Sequence, residues 1–204
     1  GDRPEALATL MGIIMNEGLK IEKRRFESLV FGEGTPYELR FRALEPKKTR
    51  VLSPEVARTA RRAIERVVEQ GTARRAGRAF MVPDEDGDME RDRTVRLGGK
   101  TGTGDHRQKS FDRWGHVIDE KFVSRSATFV FIKDTQYFGV ITIHVEGEES
   151  GDYNFTSSMA TEIFRQLFPK LTNELDKIYP HEQEFIEPSR SNKAPEVSMR
   201  TASL

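Results

Sequence analysis

The sequence predicts an α+β fold, with an antiparallel β-sheet covered by helices on both faces. Three observations lead there. Two neighbouring segments, SATFVFIK and QYFGVITIHVE, are rich in Phe, Val, Ile and Thr and apolar on either side, as interior strands are when both sheet faces are covered. They are separated by a few polar residues, which makes them an antiparallel hairpin. The long amphipathic segments all lie outside this pair, near the start, the middle and the end of the chain.

Residues 4–17 are the first helix. Leu7, Leu10, Met11 and Ile14 recur at helical spacing, Asp2 with Glu5 resembles a capping box, Pro4 suits the first turn, and Gly18 suits the stop. Residues 19–52 read as short strands around a turn at Gly32–Pro36. The segment 54–70 has the strongest helical signals: Ser53 as N-cap, Pro54 in the first turn, Gly71 after the end. Its buried face is expected to hold Val56, Ala60, Ile64, Val67 and Val68, with the arginines in solvent. Residues 83–93 form an acidic turn between two strands. Asp84, Asp86 and Asp88 lack the EF-hand's glycine and terminal glutamate at the required positions, so the turn reads as solvated loop. Strands are expected at 94–104, 126–133 and 136–146. Between the first two, Arg107, Phe111 and Trp114 are placed in a loop. The last helix, 157–170, carries Met159, Ile163, Phe164, Leu167 and Leu171 as its stripe. The domain is therefore drawn as 1–175, followed by a polar, proline-containing tail at 176–204.

Lys plus Arg and Asp plus Glu both number 33, and this balance argues against a general nucleic-acid binder. There is no cysteine, so neither disulfides nor a thiolate metal site can form. The four histidines are scattered without ligand spacing, so no metal and no cofactor is assigned.

The chemistry-bearing stretch is GGKTGTG, residues 98–104. A phosphate-binding P-loop requires a glycine five residues before Gly99, where Thr94 stands, and a helix afterwards, where strands are predicted. A strand edge fits better. Thr101 and Thr103 point the same way, Gly102 leaves room for a ligand's backbone, and Lys100 supplies a positive field. Two hydroxyls, a cation and free backbone N–H groups suit a carboxylate and a developing oxyanion.

K-T-G is one of three signatures of the penicillin-recognising serine acyl transferases. Here SPEVARTARRAIERVVEQGTARRA, then a spacer and GGKTGTG, resembles the second half of a penicillin-binding protein transpeptidase domain. PEALATLMGIIMNEG is similar to the helix that follows that family's S-x-N loop. The resemblance covers residues 1–170 and is most specific at EQGTA and GKTGTG. It points to a high-molecular-mass member, a class that includes bifunctional ones, of which only the C-terminal part of the fold is expected here. It implies that Lys100 contacts the S-x-N serine and assists proton transfer. Thr101 and Thr103 would hold the substrate carboxylate, Gly102 would let substrate pair along the strand, and the Thr103 N–H would be half of an oxyanion hole. Neither S-x-x-K nor S-x-N occurs in the 204 residues, so the nucleophile is expected upstream of Gly1. The implied activity is serine-type D,D-transpeptidation in peptidoglycan synthesis. Its partners would be peptidoglycan stem peptides, β-lactam antibiotics and the upstream half of the same protein. Membrane contact would come only through an N-terminal anchor upstream. The implied location is the cell envelope, on the periplasmic side of the cytoplasmic membrane. The alternative is a non-catalytic module on the same fold that binds a peptide or protein partner.

Overall fold

A computed structural model describes residues 3 to 178. The elements run α1 (Pro4–Met15), β1 (Leu19–Ile21), β2 (Ser28–Phe31), β3 (Leu39–Arg42), β4 (Lys48–Arg50), α2 (Pro54–Glu69), α3 (Arg74–Gly77), β5 (Met81–Pro83), β6 (Met89–Arg91), β7 (Leu97–Phe111), β8 (Val117–Lys133), β9 (Tyr137–Glu146), a 3-10 turn (Glu148–Asp152) and α4 (Ser157–Ile178). The last helix thus includes residues 176–178, while 179–204, the rest of the expected tail, lie outside the described residues.

β7, β8 and β9 form one antiparallel sheet in that order. Each strand residue alternates between two faces. One face carries Phe129 and Phe131, packed against Phe164 and Phe168 of α4 and against Val68, Ala73 and Ala76 from the α2–α3 region. The other carries Val130 and Ile132, packed against Met11 and Ile14 of α1 with Ala60 and Ile64 of α2 alongside. The expected two-sided cover is therefore present. α2 contributes to both clusters because it crosses the sheet beside β7.

α1 and α2 bury most of their expected faces, Leu7, Met11 and Ile14 on the first and Ala60, Ile64, Val67 and Val68 on the second, whereas α4 sits rotated from its expected face. On α2 the N-cap is as predicted, since the Ser53 hydroxyl accepts the Val56 N–H at 3.3 Å. Val56, however, is exposed and Ala57 is fully buried in its place. Arg61 is not in solvent: its guanidinium donates to the Asp134 carbonyl in the β8–β9 turn. On α1, Met11 and Ile14 are buried but Leu10 is exposed. Arg3 occupies the N-cap of α1 without a side-chain cap, and Asp2 of the expected Asp2–Glu5 box lies outside the described residues. On α4 the core face is Ala160, Thr161, Phe164, Phe168 and Thr172. Met159, Ile163, Leu167 and Leu171 form a second apolar stripe that the described residues leave exposed. The helix is apolar on two sides, and stripe counting cannot rank them. The phenylalanines win the sheet because Phe129 and Phe131 offer rings at 4.7–5.2 Å centroid distance.

At the far end of α4 the Tyr137 hydroxyl donates to Asp176. Burial, followed by that hydrogen bond and the negative charge beside it, pushes the phenol up to about 12 from 10.0. The folded state thus holds this proton more tightly than the unfolded chain. Its contribution to stability is full below pH 10 and is lost as pH rises through about 12. In urea titrations, the stability difference between wild type and Tyr137→Phe should be constant to pH 10 and then shrink, and a difference flat to pH 12 would exclude the contact.

Candidate functional site

The GGKTGTG stretch is a strand, as expected, and lies on the outer edge of the sheet. Its two halves face different surroundings. A Cβ on Gly98 would come within 2.9 Å of Ile64, and one on Gly99 within 2.5 Å of the Phe129 ring. The paired glycines therefore let α2 and Phe129 close on β7. A Cβ on Gly102 would meet nothing within 4 Å. Cover by the body of the protein thus gives way to open space between Gly99 and Gly102.

The backbone direction along this edge follows from the ladder. The Asp134 N–H donates to the Arg96 carbonyl at 2.8 Å, which makes Arg96 and Asp134 a hydrogen-bonded pair. From there to His106 the register is unbroken. Even-numbered residues of β7 therefore bond to β8, and the odd-numbered Thr101 and Thr103 turn their N–H and C=O groups to the open edge. Among the described residues no strand pairs with this side.

Each predicted side chain has a definite position. Lys100 is exposed and forms no ion pair among the described residues; its ammonium rests on the adjacent Thr101 carbonyl. The Thr103 hydroxyl accepts the Ser157 N–H at 2.9 Å, at the first residue of α4. With a lone pair committed there, its own proton is left to donate outward. Thr101 differs from the expectation. It is 7% exposed, and its hydroxyl lies 2.6 Å from that of Thr72. That contact makes its side chain an anchor between β7 and the segment after α2, while its backbone still faces the edge. Thr72 belongs to the EQGTA stretch, so the spacing of EQGTA to GKTGTG has a structural meaning: it brings the two threonines together. The partnership was not readable before the fold was known.

Beyond Gly104 the structure corrects the expected loop. β7 continues to Phe111 and β8 starts at Val117, so Arg107 and Phe111 are on a strand. The ribbon contributes nothing to either core cluster: Phe111, Val117, Ile118 and Val123 are exposed, and cross-strand charges help to hold it. Arg125 grips Asp105 at 2.8 Å, and Arg107 lies over the Phe122 ring at 4.2 Å. The Arg125 hydrogen bond is the main reason the Asp105 carboxyl sits below its ordinary range. Asp105 stays ionised and paired with Arg125. Trp114 is in the tight turn at the ribbon's tip, 68% exposed, with Arg113 stacked on it. Eight strand residues separate Thr103 from Phe111, about 25 Å, so Trp114 does not border the Lys100 edge. In the acidic turn, the Asp84 carboxylate accepts the N–H groups of Asp86 and Asp88 and thereby closes the β5–β6 hairpin.

No protein-family model matches the chain, and no curated protein matches it. Solved structures do. Penicillin-binding protein 2B from Streptococcus pneumoniae strain R6 superposes with a TM-score of 0.51 at 15% identity, over 88% of this chain and 25% of that one. That likeness shows the fold, mixed α+β as in part of a penicillin-binding protein. The D,D-transpeptidase domain of a peptidoglycan glycosyltransferase from Eggerthella lenta matches at 17% identity and TM-score 0.49, over 82% of this chain and 31% of that one. Penicillin-binding protein 3 from Mycobacterium tuberculosis, complexed with ampicillin, matches at 20% identity and TM-score 0.48, over 81% and 34%. The chain spans between 25% and 34% of the length of these three structures.

Proposed function

We propose that this chain supplies the β-strand wall of a serine-type D,D-transpeptidase active site that cross-links peptidoglycan stem peptides. The observation that carries the proposal is the open edge at residues 100–104, where an unpaired lysine, an outward hydroxyl and two outward N–H groups converge. A peptide lying along this edge pairs with the N–H and C=O of Thr101 and Thr103, and Gly102 gives its backbone room. The Thr103 hydroxyl donates to the terminal carboxylate. When a serine attacks the penultimate carbonyl, the Thr103 N–H receives the developing oxyanion. Lys100 stabilises negative charge on the attacking side and assists proton transfer.

The serine and its base belong, on this reading, to an upstream part of the same protein that also carries S-x-x-K and S-x-N. The uncovered stripe on α4 and the partial span of the matched structures support a piece of a larger domain. β-Lactam antibiotics would occupy the same edge. The proposed location is the outer side of the cytoplasmic membrane, with any anchor upstream; no helix among the described residues is long and apolar enough to cross a bilayer.

Labelling with a fluorescent penicillin tests this reading. The 204-residue chain alone should give no covalent band on denaturing electrophoresis, because none of its serines has a lysine three residues on. The full-length gene product should label. A band from the chain alone would move the active site elsewhere. Absence of label from both would favour the non-catalytic binding module.

A further inference from the structure

Thr101 and Thr103 are alternate residues of β7 and so share one face of it. Their hydroxyls are held differently. That of Thr101 is spent on Thr72, whereas that of Thr103 meets the start of α4. The Thr103 oxygen accepts the Ser157 N–H at 2.9 Å and has no other hydrogen bond among the described residues.

A hydroxyl carries one proton and two lone pairs, and a free rotor spreads that proton over all the staggered directions. An N–H aimed at the oxygen takes one of those directions and confines the proton to the others. It also polarises the hydroxyl, which makes the remaining O–H a better donor. The Ser157 N–H is free for this task because the first N–H groups of a helix have no partner within it. The next one, that of Ser158, is already taken by the Thr156 hydroxyl at 3.3 Å, which caps the helix. The core holds the donor in place. Phe164 and Phe168 fix α4 against Phe129 and Phe131 of β8, and this seating brings Ser157 up to β7.

We propose that the Ser157 backbone N–H is a positioning group: it orients and polarises the Thr103 hydroxyl, and so sets the preference of the site for ligands that end in a free carboxylate. The inference rests on the edge at residues 100–104 being the substrate site. The donors run in series, from the Ser157 N–H to Thr103 Oγ1 and from the Thr103 proton to the carboxylate.

Ser157→Pro in the full-length protein tests it. Proline removes the N–H, and the first position of a helix, after a cap in extended backbone, is where proline is accepted. The readout is the ratio of second-order acylation rates for benzylpenicillin and for its methyl ester, with thermal melting alongside. The ratio should fall about three- to tenfold, as for loss of one neutral hydrogen bond, while the rate with the ester stays near wild type. Ser157→Ala keeps the N–H and should keep the wild-type ratio. A merely structural role would slow both ligands alike, and equal slowing would overturn the proposal. So would a fall in the ratio for Ser157→Ala as large as that for Ser157→Pro. Thr103→Val separates this inference from the reading beneath it. If Thr103→Val lowers the ratio and Ser157→Pro does not, Ser157 has no positioning role and the edge stands. If Thr103→Val leaves the ratio unchanged, the edge itself is misassigned and this inference falls with it.

Discussion

Lys100→Met, made in the full-length protein, should slow acylation by penicillin about 100- to 1000-fold, the usual loss for one preorganised electrostatic donor. Methionine keeps most of the side chain's bulk and removes its charge. Lys100 is exposed and its ammonium touches only a neighbouring carbonyl, so the fold does not depend on it and the melting temperature should stay put. The next cations along β7, Arg107 and Lys109, are seven or more residues on and are ion-paired with Asp105 and Glu120, so they do not replace the missing field. Thr103→Val should act differently. The backbone N–H remains, so the loss should concentrate on ligands that bear a free carboxylate. A small drop in melting temperature should accompany it, because the Ser157 N–H at the start of α4 loses its acceptor. The measurement is the second-order acylation rate of each variant. If Lys100→Met acylates within about threefold of wild type, the edge at residues 100–104 is a turn-proof piece of sheet and not the site.

Phe164→Ala should destabilise the 204-residue chain by about 3–5 kcal/mol, the range for removing a fully buried ring. Phe164 is fully buried, with ring centroids of Phe129, Phe131 and Phe168 at 5.2, 4.8 and 4.6 Å. Those three rings share a core cluster with Ala73 and Ala76, so the cavity has little freedom to collapse. Leu167→Ala, one step around the same helix, should cost within about 0.5 kcal/mol, as exposed positions do. Urea midpoints of the two variants decide between the faces. Equal losses would mean that the Met159–Leu171 stripe is covered, and that α4 is seated differently from the structure described.

These two helix positions also show where reading by pattern stopped. Periodicity located α4 and gave it one stripe, Met159, Ile163, Phe164, Leu167 and Leu171, of which Phe164 alone is in the core, and nothing local ranks Leu167 below Phe168. The choice is made by what stands opposite, and the rings of Phe129 and Phe131 are opposite only once β8 is in place. The same holds at the start of α2, where a small residue, Ala57, is buried and the larger Val56 is left in solvent.

By itself the sequence determined the α+β class, the order of the elements, the two-sided central hairpin and the strand character of GGKTGTG. Each of these rests on local chemistry: alternation, caps, glycines and turn residues act over a few positions. Only the tertiary structure decided which face of α4 is buried, that β7 and β8 run on as a ribbon past Gly104, and that Thr101 is tied to Thr72. It also decided that the N–H groups of Thr101 and Thr103 face an open edge, because hydrogen-bond direction depends on register with β8. The physical reason is common to all of these. A residue's own preference is worth a fraction of a kcal/mol, whereas burial against a particular partner is worth several, and partners distant in sequence are supplied by the fold.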